Sequence, residues 1–517
     1  MQQRNDTVDL LIIGGGINGA GIARDAAGRG LSVMLVEKDD LASHTSSASS
    51  KLIHGGLRYL EYYEFRLVQE ALGERERLMG IAPHIIWPMR FVLPHDKASR
   101  PRWMIRLGLF LYDNLAKRVS LPGSEGIKFA KRPELRGPLA DSVKHGFAYS
   151  DCWVEDSRLV ALNAMDAAAK GAEILTRTRF VDARRVGGEW VARIQDNESG
   201  KTRQVRARGI VNAAGPWVSD LFDRDALPAT PRGKTRLIKG SHIIVPQLWQ
   251  GDQAYILQND DGRIVFAIPY EGRFTLIGTT DESFSGDPQT LRMSVEERDY
   301  MLAAVNRWFN KELTTRDVMH SFAGVRPLYD DGASEAKSVT RDYVLELDQG
   351  PEDNSPPLLS IFGGKITTYR CLAEDAMDKL APLLGCADVP SWTGTQPLPG
   401  GDIPDGDVEG YVADLCIEHR WVPPPLMHRW VRAYGTRVEL LLDGKARLSD
   451  LGTSFSDMLY EAEIDYLMEH EFARTPEDVL MRRSKLGLHL SDRHREKLSD
   501  WLTQRQATPG KIKAAAE

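Results

Sequence analysis

The segment VDLLIIGGGINGAGIARDAAGRGLSVMLVEK, residues 8–38, constrains the fold more than any other stretch of the chain. An apolar run at 10–13 ends in a glycine cluster, an alanine-rich stretch of helical character follows, and a second apolar run at 33–36 ends in Glu37. The order is strand, tight turn, helix, strand, carboxylate. Gly14, Gly16 and Gly19 stand at G-x-G-x-x-G spacing. One glycine makes the turn, one lets the backbone approach a pyrophosphate, and one lets helix pack closely on strand. The helix N-terminus then presents N–H groups and the positive end of its dipole to phosphates. Glu37 lies near the ~20-residue spacing at which an acid reaches a ribose 2′-hydroxyl. A glycine-rich turn in an ordinary βαβ unit would leave this spacing unexplained. The pattern predicts dinucleotide binding, and the acid fits NAD or FAD rather than a 2′-phosphate.

At 517 residues the chain has room for two or three domains. Its net charge of −7 leaves no global nucleic-acid footprint. Cys152, Cys371, Cys386 and Cys416 form no C-x-x-C pair, so neither a metal site nor a disulfide framework is expected, in keeping with a reducing compartment. The polar N-terminus enters the βαβ unit directly, without a signal peptide. No run approaches the ~18 apolar residues of a membrane span. Any contact with a membrane is therefore expected at its surface.

Further along, 43–51 is a polar loop whose Thr45, Ser46, Ser47, Ser49 and Ser50 hydroxyls suit phosphate or flavin contacts, or solvent. Residues 148–172 read as a loop and then a helix. Residues 173–183, 189–194 and 203–207 alternate like strands, and 209–213 is a short buried strand ending in Ala214-Gly215-Pro216-Trp217. Residues 237–280 are β-rich, 296–309 helical, and strand 358–362 runs into Gly363-Gly364-Lys365 before a helix at 368–384. Strand–glycine–helix thus recurs near 14, 215 and 363. A discontinuous dinucleotide domain with an inserted antiparallel domain suits a flavoprotein better than a nicotinamide enzyme. The expected class is α/β: a Rossmann-type domain from 1–80, 148–236 and 355–395, and an antiparallel β substrate or cap domain from 81–147 and 237–354. A Pro/Gly-rich linker at 396–406 opens a helical C-terminal domain, 396–517.

The motifs IIGGGINGAGIARDAAGRG, TSSASSKLIHGGLRYLE, NAAGPW, LIKGSHIIV, GVRPL, TRDY and FGGKITTYR resemble those of the bacterial aerobic, quinone-linked, FAD-dependent sn-glycerol-3-phosphate dehydrogenases. The resemblance covers nearly the whole chain. It implies a glucose-oxidase-like FAD fold and oxidation of glycerol 3-phosphate at C2 to dihydroxyacetone phosphate, with hydride passing to FAD and electrons to membrane quinone. It also implies a homodimer held peripherally on the cytoplasmic face of the inner membrane, and soluble in cytoplasm once extracted. Expected FAD contacts are Gly14, Gly15, Gly16, Asn18, Gly19, Glu37, Lys38, the five loop hydroxyls, Lys51, Ala214, Gly215, Gly364, Lys365, Thr367 and Thr368.

A phosphomonoester dianion calls for fixed cations, preferably arginine forks. Arg58, Arg326 and Arg341 match basic positions of the family's substrate pocket, Tyr59 can donate to phosphate, and Lys365 can bind substrate or steady charge on reduced flavin. Alcohol oxidation also needs a base, for which histidine suits neutral pH. Of twelve histidines, His54 and His242 remain as candidates. Arg326 stays charged, so its catalytic role is to fix substrate and stabilise a developing alkoxide. Residues 96–136 are rich in Lys and Arg, and WMIRLGLFLY at 103–112 mixes Arg, Trp and apolar residues, as a helix on an anionic lipid surface or one packed on its own domain would. Two other functions compete: a glycerol-3-phosphate oxidase that reduces oxygen, and a non-catalytic flavin scaffold, which would not need three phosphate-pocket arginines.

Overall fold

The computed structural model describes residues 7–96, 100–117, 119–330, 342–352 and 355–506. The glycine motif folds as β1 (Thr7–Ile13), α1 (Ile17–Gly28) and β2 (Val33–Val36). β1 pairs in parallel with β2 and with strand Thr202–Asn212, which in turn pairs in parallel with Leu358–Phe362. These four strands form the middle of an eight-stranded floor sheet. Their unbroken apolar sequence follows from cover on both faces. Leu10, Ile12, Val33 and Leu35 face a core shared with α1 and with helices Asp156–Ala169 and Tyr369–Leu384. Leu11, Ile13, Met34 and Val36 face the other side, against Phe180, Trp190 and Ile194 of the Thr178–Val186/Glu189–Asp196 hairpin.

Ten further strands make a roof sheet, built mainly from Lys234–Pro246, Phe274–Gly278, Ile264–Tyr270, Ala254–Gln258, Ile86–His95, His145–Val154 and His320–Asp330. It is antiparallel except where Ala254–Gln258 runs parallel to Ile86–His95. Three local readings change. Residues 145–154 form a roof strand rather than a loop; the strand is buried along nearly its whole length, so its sequence lacks the alternation that marks a half-exposed strand. The stretches at 203–207 and 209–213 merge into one strand. Strand Val344–Asp348, which falls in the segment assigned to the cap, pairs antiparallel with Leu358–Phe362 in the floor.

Beyond the two sheets, helices Val408–Glu418, Pro424–Tyr434, Glu461–His470 and Asp492–Gln506 enclose a separate core around Leu426, Trp430, Tyr434 and Leu467. A small hairpin, Ser454–Ser456 with Leu459–Tyr460, interrupts the helices. The 396–406 stretch is pinned rather than loose. Leu398 is buried and its N–H donates to the Ile81 carbonyl at 2.9 Å.

Candidate active site

The three glycine turns leave neighbouring parallel strands at one edge of the floor sheet, after Ile13, Asn212 and Phe362. Gly14 has φ +111°, and a Cβ there would lie 2.4 Å from the Ala213 carbonyl oxygen. A Cβ on Gly19 would lie 1.9 Å from the Gly14 oxygen. Both collisions are with backbone, so no side chain can swing away. The N-cap residue of α1, Gly16, supplies no capping side chain. Its Ile17 N–H donates to Ser46 Oγ at 3.0 Å. Asn18 Nδ2 donates to the Gly363 carbonyl at 3.1 Å, and among the described residues its buried Oδ1 finds no partner. Glu37 is buried and accepts N–H bonds from Gly15 at 2.7 Å and Asp39 at 2.8 Å. Burial pushes its carboxyl pKa up, against these two donors. Beside it opens a cleft of about 410 Å³ bordered by Lys38, Asp39, Arg179 and Gln195. A close backbone cradle, a helix start with glycine at its N-cap and a buried acid fit the pyrophosphate and ribose of a dinucleotide.

The hydroxyl-rich loop ties floor to roof. Thr45 Oγ1 donates to the Val325 carbonyl at 2.8 Å, Ser47 to His44 O at 3.2 Å, and Ser49 to Asp156 at 2.8 Å. Ser50 Oγ lies 2.9 Å from His242 Nε2. Lys51, also an expected FAD contact, has internal partners. Its ammonium is buried on both oxygens of Asp156, at 2.8 and 2.9 Å, and on the Ser47 carbonyl at 3.0 Å. It holds the loop's shape from behind. Lys38 sits with its Nζ 3.6 Å from the Trp217 ring centroid, joining the ends of two floor strands.

His54, Arg58, Tyr59, Lys365 and Thr367 come together where two distant turns meet. Thr367 Oγ1 accepts from the His54 N–H at 3.3 Å, and Lys365 Nζ lies 4.0 Å from the Tyr59 ring centroid. Among the described residues Arg58 Nε is buried without a hydrogen-bond partner. Burial pushes the His54 imidazole pKa down, helped by Lys365 and Arg75 and opposed by Asp151. Thr368 is buried beside Thr367, and Ala214, Gly215 and Gly364 line the other two turns.

His242 sits within Lys234–Pro246 rather than at a strand start, flanked by Gly278 and Phe322. A Cβ on Gly278 would fall 2.2 Å from the imidazole, so glycine makes its place. The ring stacks on Phe322 with centroids 4.8 Å apart. Among the described residues its Nδ1 has no partner. Burial, with Lys51 and Arg326 nearby, pushes its pKa down to about 3, against the opposite pull of Asp156. Arg326 is half-exposed; it donates to the Thr280 carbonyl at 3.1 Å and faces Asp281 at 3.3 Å. Arg341 lies outside the described residues.

Two supports escaped sequence reasoning. Tyr112 Oη accepts the Gly55 N–H at 2.8 Å and donates to Asp151, which is paired with Arg75 at 2.6 Å. Glu297 binds Lys239, Ser241 and Thr280, fixing the strand that carries His242. Their partners lie tens of residues apart, so no spacing announces them. The site as a whole can bind a dinucleotide at its floor, gather an anion between Arg58 and Lys365, and offer an unprotonated imidazole from its roof.

Residues 9–370 match the FAD dependent oxidoreductase family, and residues 391–503 match the C-terminal domain of alpha-glycerophosphate oxidase. The chain is 53% identical over 510 residues to a glycerol-3-phosphate dehydrogenase of Pseudomonas aeruginosa, covering 99% of this chain and 98% of that one. It is 52% identical over 499 residues to a D-erythritol 1-phosphate dehydrogenase of Brucella abortus, covering 96% and 98%. The crystal structure of a glycerol-3-phosphate dehydrogenase from Bacillus halodurans complexed with FAD superposes with a TM-score of 0.76 at 30% identity, over 97% of this chain and 91% of that one.

Proposed function

The chain belongs to the FAD-dependent oxidoreductases, in their glycerol-3-phosphate dehydrogenase branch, and from that premise we propose that it oxidises sn-glycerol 3-phosphate at C2 to dihydroxyacetone phosphate and delivers the electrons to membrane quinone. Bound FAD supplies the two-electron acceptor for hydride. Gly14–Gly19 and Glu37 hold its pyrophosphate and ribose. Arg58, Tyr59 and Lys365 bind the substrate phosphate, with Arg341 a further candidate. Arg326 orients the C2 hydroxyl and steadies negative charge on its oxygen. His242 takes the hydroxyl proton. The observation that carries this reading is the unprotonated His242 imidazole, bonded to Ser50 through Nε2 and, among the described residues, without a partner at Nδ1, on the roof above the loop that follows the glycine cradle. A pKa of about 3 keeps it a proton acceptor at neutral pH, although a weak one until substrate arrives.

The 52% identity to an erythritol phosphate enzyme favours a second reading, a four-carbon polyol phosphate. Anaerobic mixing distinguishes the two. Glycerol 3-phosphate should bleach the flavin within one turnover, and D-erythritol 1-phosphate should do so slowly or not at all. The reverse order would transfer the assignment. Faster reoxidation by a quinone analogue than by oxygen supports the dehydrogenase over the oxidase.

Among the described residues no helix is long and apolar enough to cross a membrane. The Arg102–Asn114 helix buries Ile105, Leu109 and Tyr112 and exposes Trp103 (67%), Leu107 and Phe110 (57%), flanked by Arg102 and Arg106. Exposed Tyr62 and Tyr63 end the turn packed against it. This face supports peripheral attachment of the homodimer to the anionic cytoplasmic surface of the inner membrane. Each basic residue near such a surface contributes about 1 kcal/mol. The triple change Arg102→Glu, Trp103→Ser, Arg106→Glu should release the protein from anionic vesicles in a sedimentation assay. Unchanged binding would assign attachment to another part of the surface.

A further inference from the structure

Segment 471–485 of the C-terminal unit reaches the cofactor loop from behind. The guanidinium of Arg483 grips Asp40 with two parallel bonds, 2.7 and 2.9 Å, and both side chains are 1% exposed. Arg482 adds a third bond to Asp40 at 2.6 Å. Arg483 is itself aimed by the Glu471 carbonyl, which accepts from it at 3.0 and 2.7 Å, and Glu471 pairs with Arg158 at 2.8 Å. A few residues on, Lys485 donates to Ser157 Oγ at 3.0 Å, next to the Asp156 that holds Lys51 and Ser49.

Asp40 is two contacts from the pyrophosphate cradle. It opens a tight turn closed by Ser43, whose hydroxyl accepts the Asp40 N–H at 2.9 Å. Inside that turn the Ala42 N–H donates to the Gly15 carbonyl at 3.1 Å, and Leu41 abuts Gly15 so closely that a Cβ there would lie 3.0 Å from it. Gly15 in turn donates its N–H to Glu37. A displaced turn moves Gly15, and with it both the phosphate-facing backbone and the ribose acid. None of the three C-terminal cations belongs to the cradle or to the hydroxyl-rich loop. A bidentate buried pair fixes direction as well as distance. Once Arg483 is removed, Asp40 stays buried without its bidentate partner, held by the single Arg482 bond at 2.6 Å and by Arg177 at 3.6 Å.

We propose that Arg483 is a positioning residue for FAD, acting through Asp40 to hold the Gly15–Glu37 cradle in its binding geometry, so that the C-terminal unit governs how tightly the cofactor is kept. The inference rests on FAD being the ligand of the cradle. A parent protein whose apo form takes up no FAD would overturn that reading, whereas a selective change in the variants tests this one.

The experiment titrates apoprotein with FAD and follows quenching of flavin fluorescence. Arg483→Gln should raise the Kd at least tenfold, Asp40→Asn should do the same, and the double variant should be no worse than either single one by more than about twofold, because both act on one contact. Arg483→Lys keeps the charge without the fork and should recover part of the loss; it carries the test if Arg483→Gln does not fold. Arg429→Gln is the control. It breaks the Arg429–Glu463 pair inside the C-terminal core, so it should lower Tm with Kd within about threefold of the parent. The proposal is overturned if folded Arg483→Gln or Arg483→Lys binds FAD like the parent, or if Arg429→Gln weakens FAD as much.

Discussion

The floor and the roof of the site are made of different material. The floor is backbone: glycines whose hypothetical Cβ atoms strike main-chain oxygens at 2.4 and 1.9 Å, N–H groups at the start of α1, and a single acid. The roof is side chains: His242, Phe322 and Arg326 projecting from strands that lie far apart in sequence. Backbone can hold a phosphate but cannot accept a proton from an alcohol at neutral pH. The division of material is therefore a division of labour, with retention below and chemistry above. Damage to the roof should cost rate with the cofactor in place, and damage to the floor should cost cofactor with the chemistry of the loaded fraction intact.

The largest effect expected is in the roof. His242→Gln should slow flavin reduction by roughly 10²–10⁴-fold with full FAD content, read by stopped-flow absorbance. If instead His54→Gln slows reduction and His242→Gln does not, the proton acceptor belongs beside the floor and the division fails. Arg326→Ala comes next. Losing one charged donor to the developing alkoxide should lower kcat/KM by roughly 30- to 1000-fold, about 2–4 kcal/mol. A change confined to FAD content would place Arg326 with the floor.

Gly19→Ala is the matching floor variant. Overpacking against fixed backbone costs about 1–3 kcal/mol, and the protein should purify with substoichiometric flavin while turnover per bound FAD stays near the parent value. The last effect is on stability rather than on turnover or flavin content. His242 has a folded pKa depressed to about 3 by burial. Its contribution to stability is therefore complete above the ordinary histidine pKa of ~6.5 and is lost as pH falls toward 3, at up to about 1.4 kcal/mol per pH unit. Tm should fall between pH 6 and 4, less steeply in His242→Phe. An equal slope in that variant would assign the acid sensitivity to other groups, such as the fully buried His84, also pushed down to about 3 by burial.

The same contrast explains what the sequence disclosed. β1, β2 and the Leu358–Phe362 strand could be read almost residue by residue, because a strand covered on both faces must be apolar throughout and its glycine turn has nothing else to be. The His145–Val154 strand is buried as well but carries Ser150 and Asp151 in its middle, so it lacks an unbroken apolar run and passed for a loop. His54 and His242 stood out as residue types beside motifs. What separates them, a 2.9 Å bond to Ser50 and a stack on Phe322, depends on partners 192 and 80 residues away. Lys51 shows the same limit. A lysine in a serine-rich loop suggests a ligand contact, and only the fold discloses its ion pair with Asp156 at the start of a helix. The clamp of Arg483 on Asp40 spans 443 residues and left no local trace at all.

The three glycine turns lie side by side, yet the ribosome delivers them far apart in time. The first strand of the floor is complete at Ile13 and the last of the parallel core at Phe362. At ~5–20 residues per second, the roughly 350 residues between them take about 20–70 s to synthesise. Throughout that interval α1 lacks the Tyr369 helix that packs against its Gly21, and one flank of the cradle is open. The three turns therefore stand side by side only after Phe362 has been made. A nascent chain that already carries the whole glycine fingerprint still lacks the two turns that complete its edge of the floor.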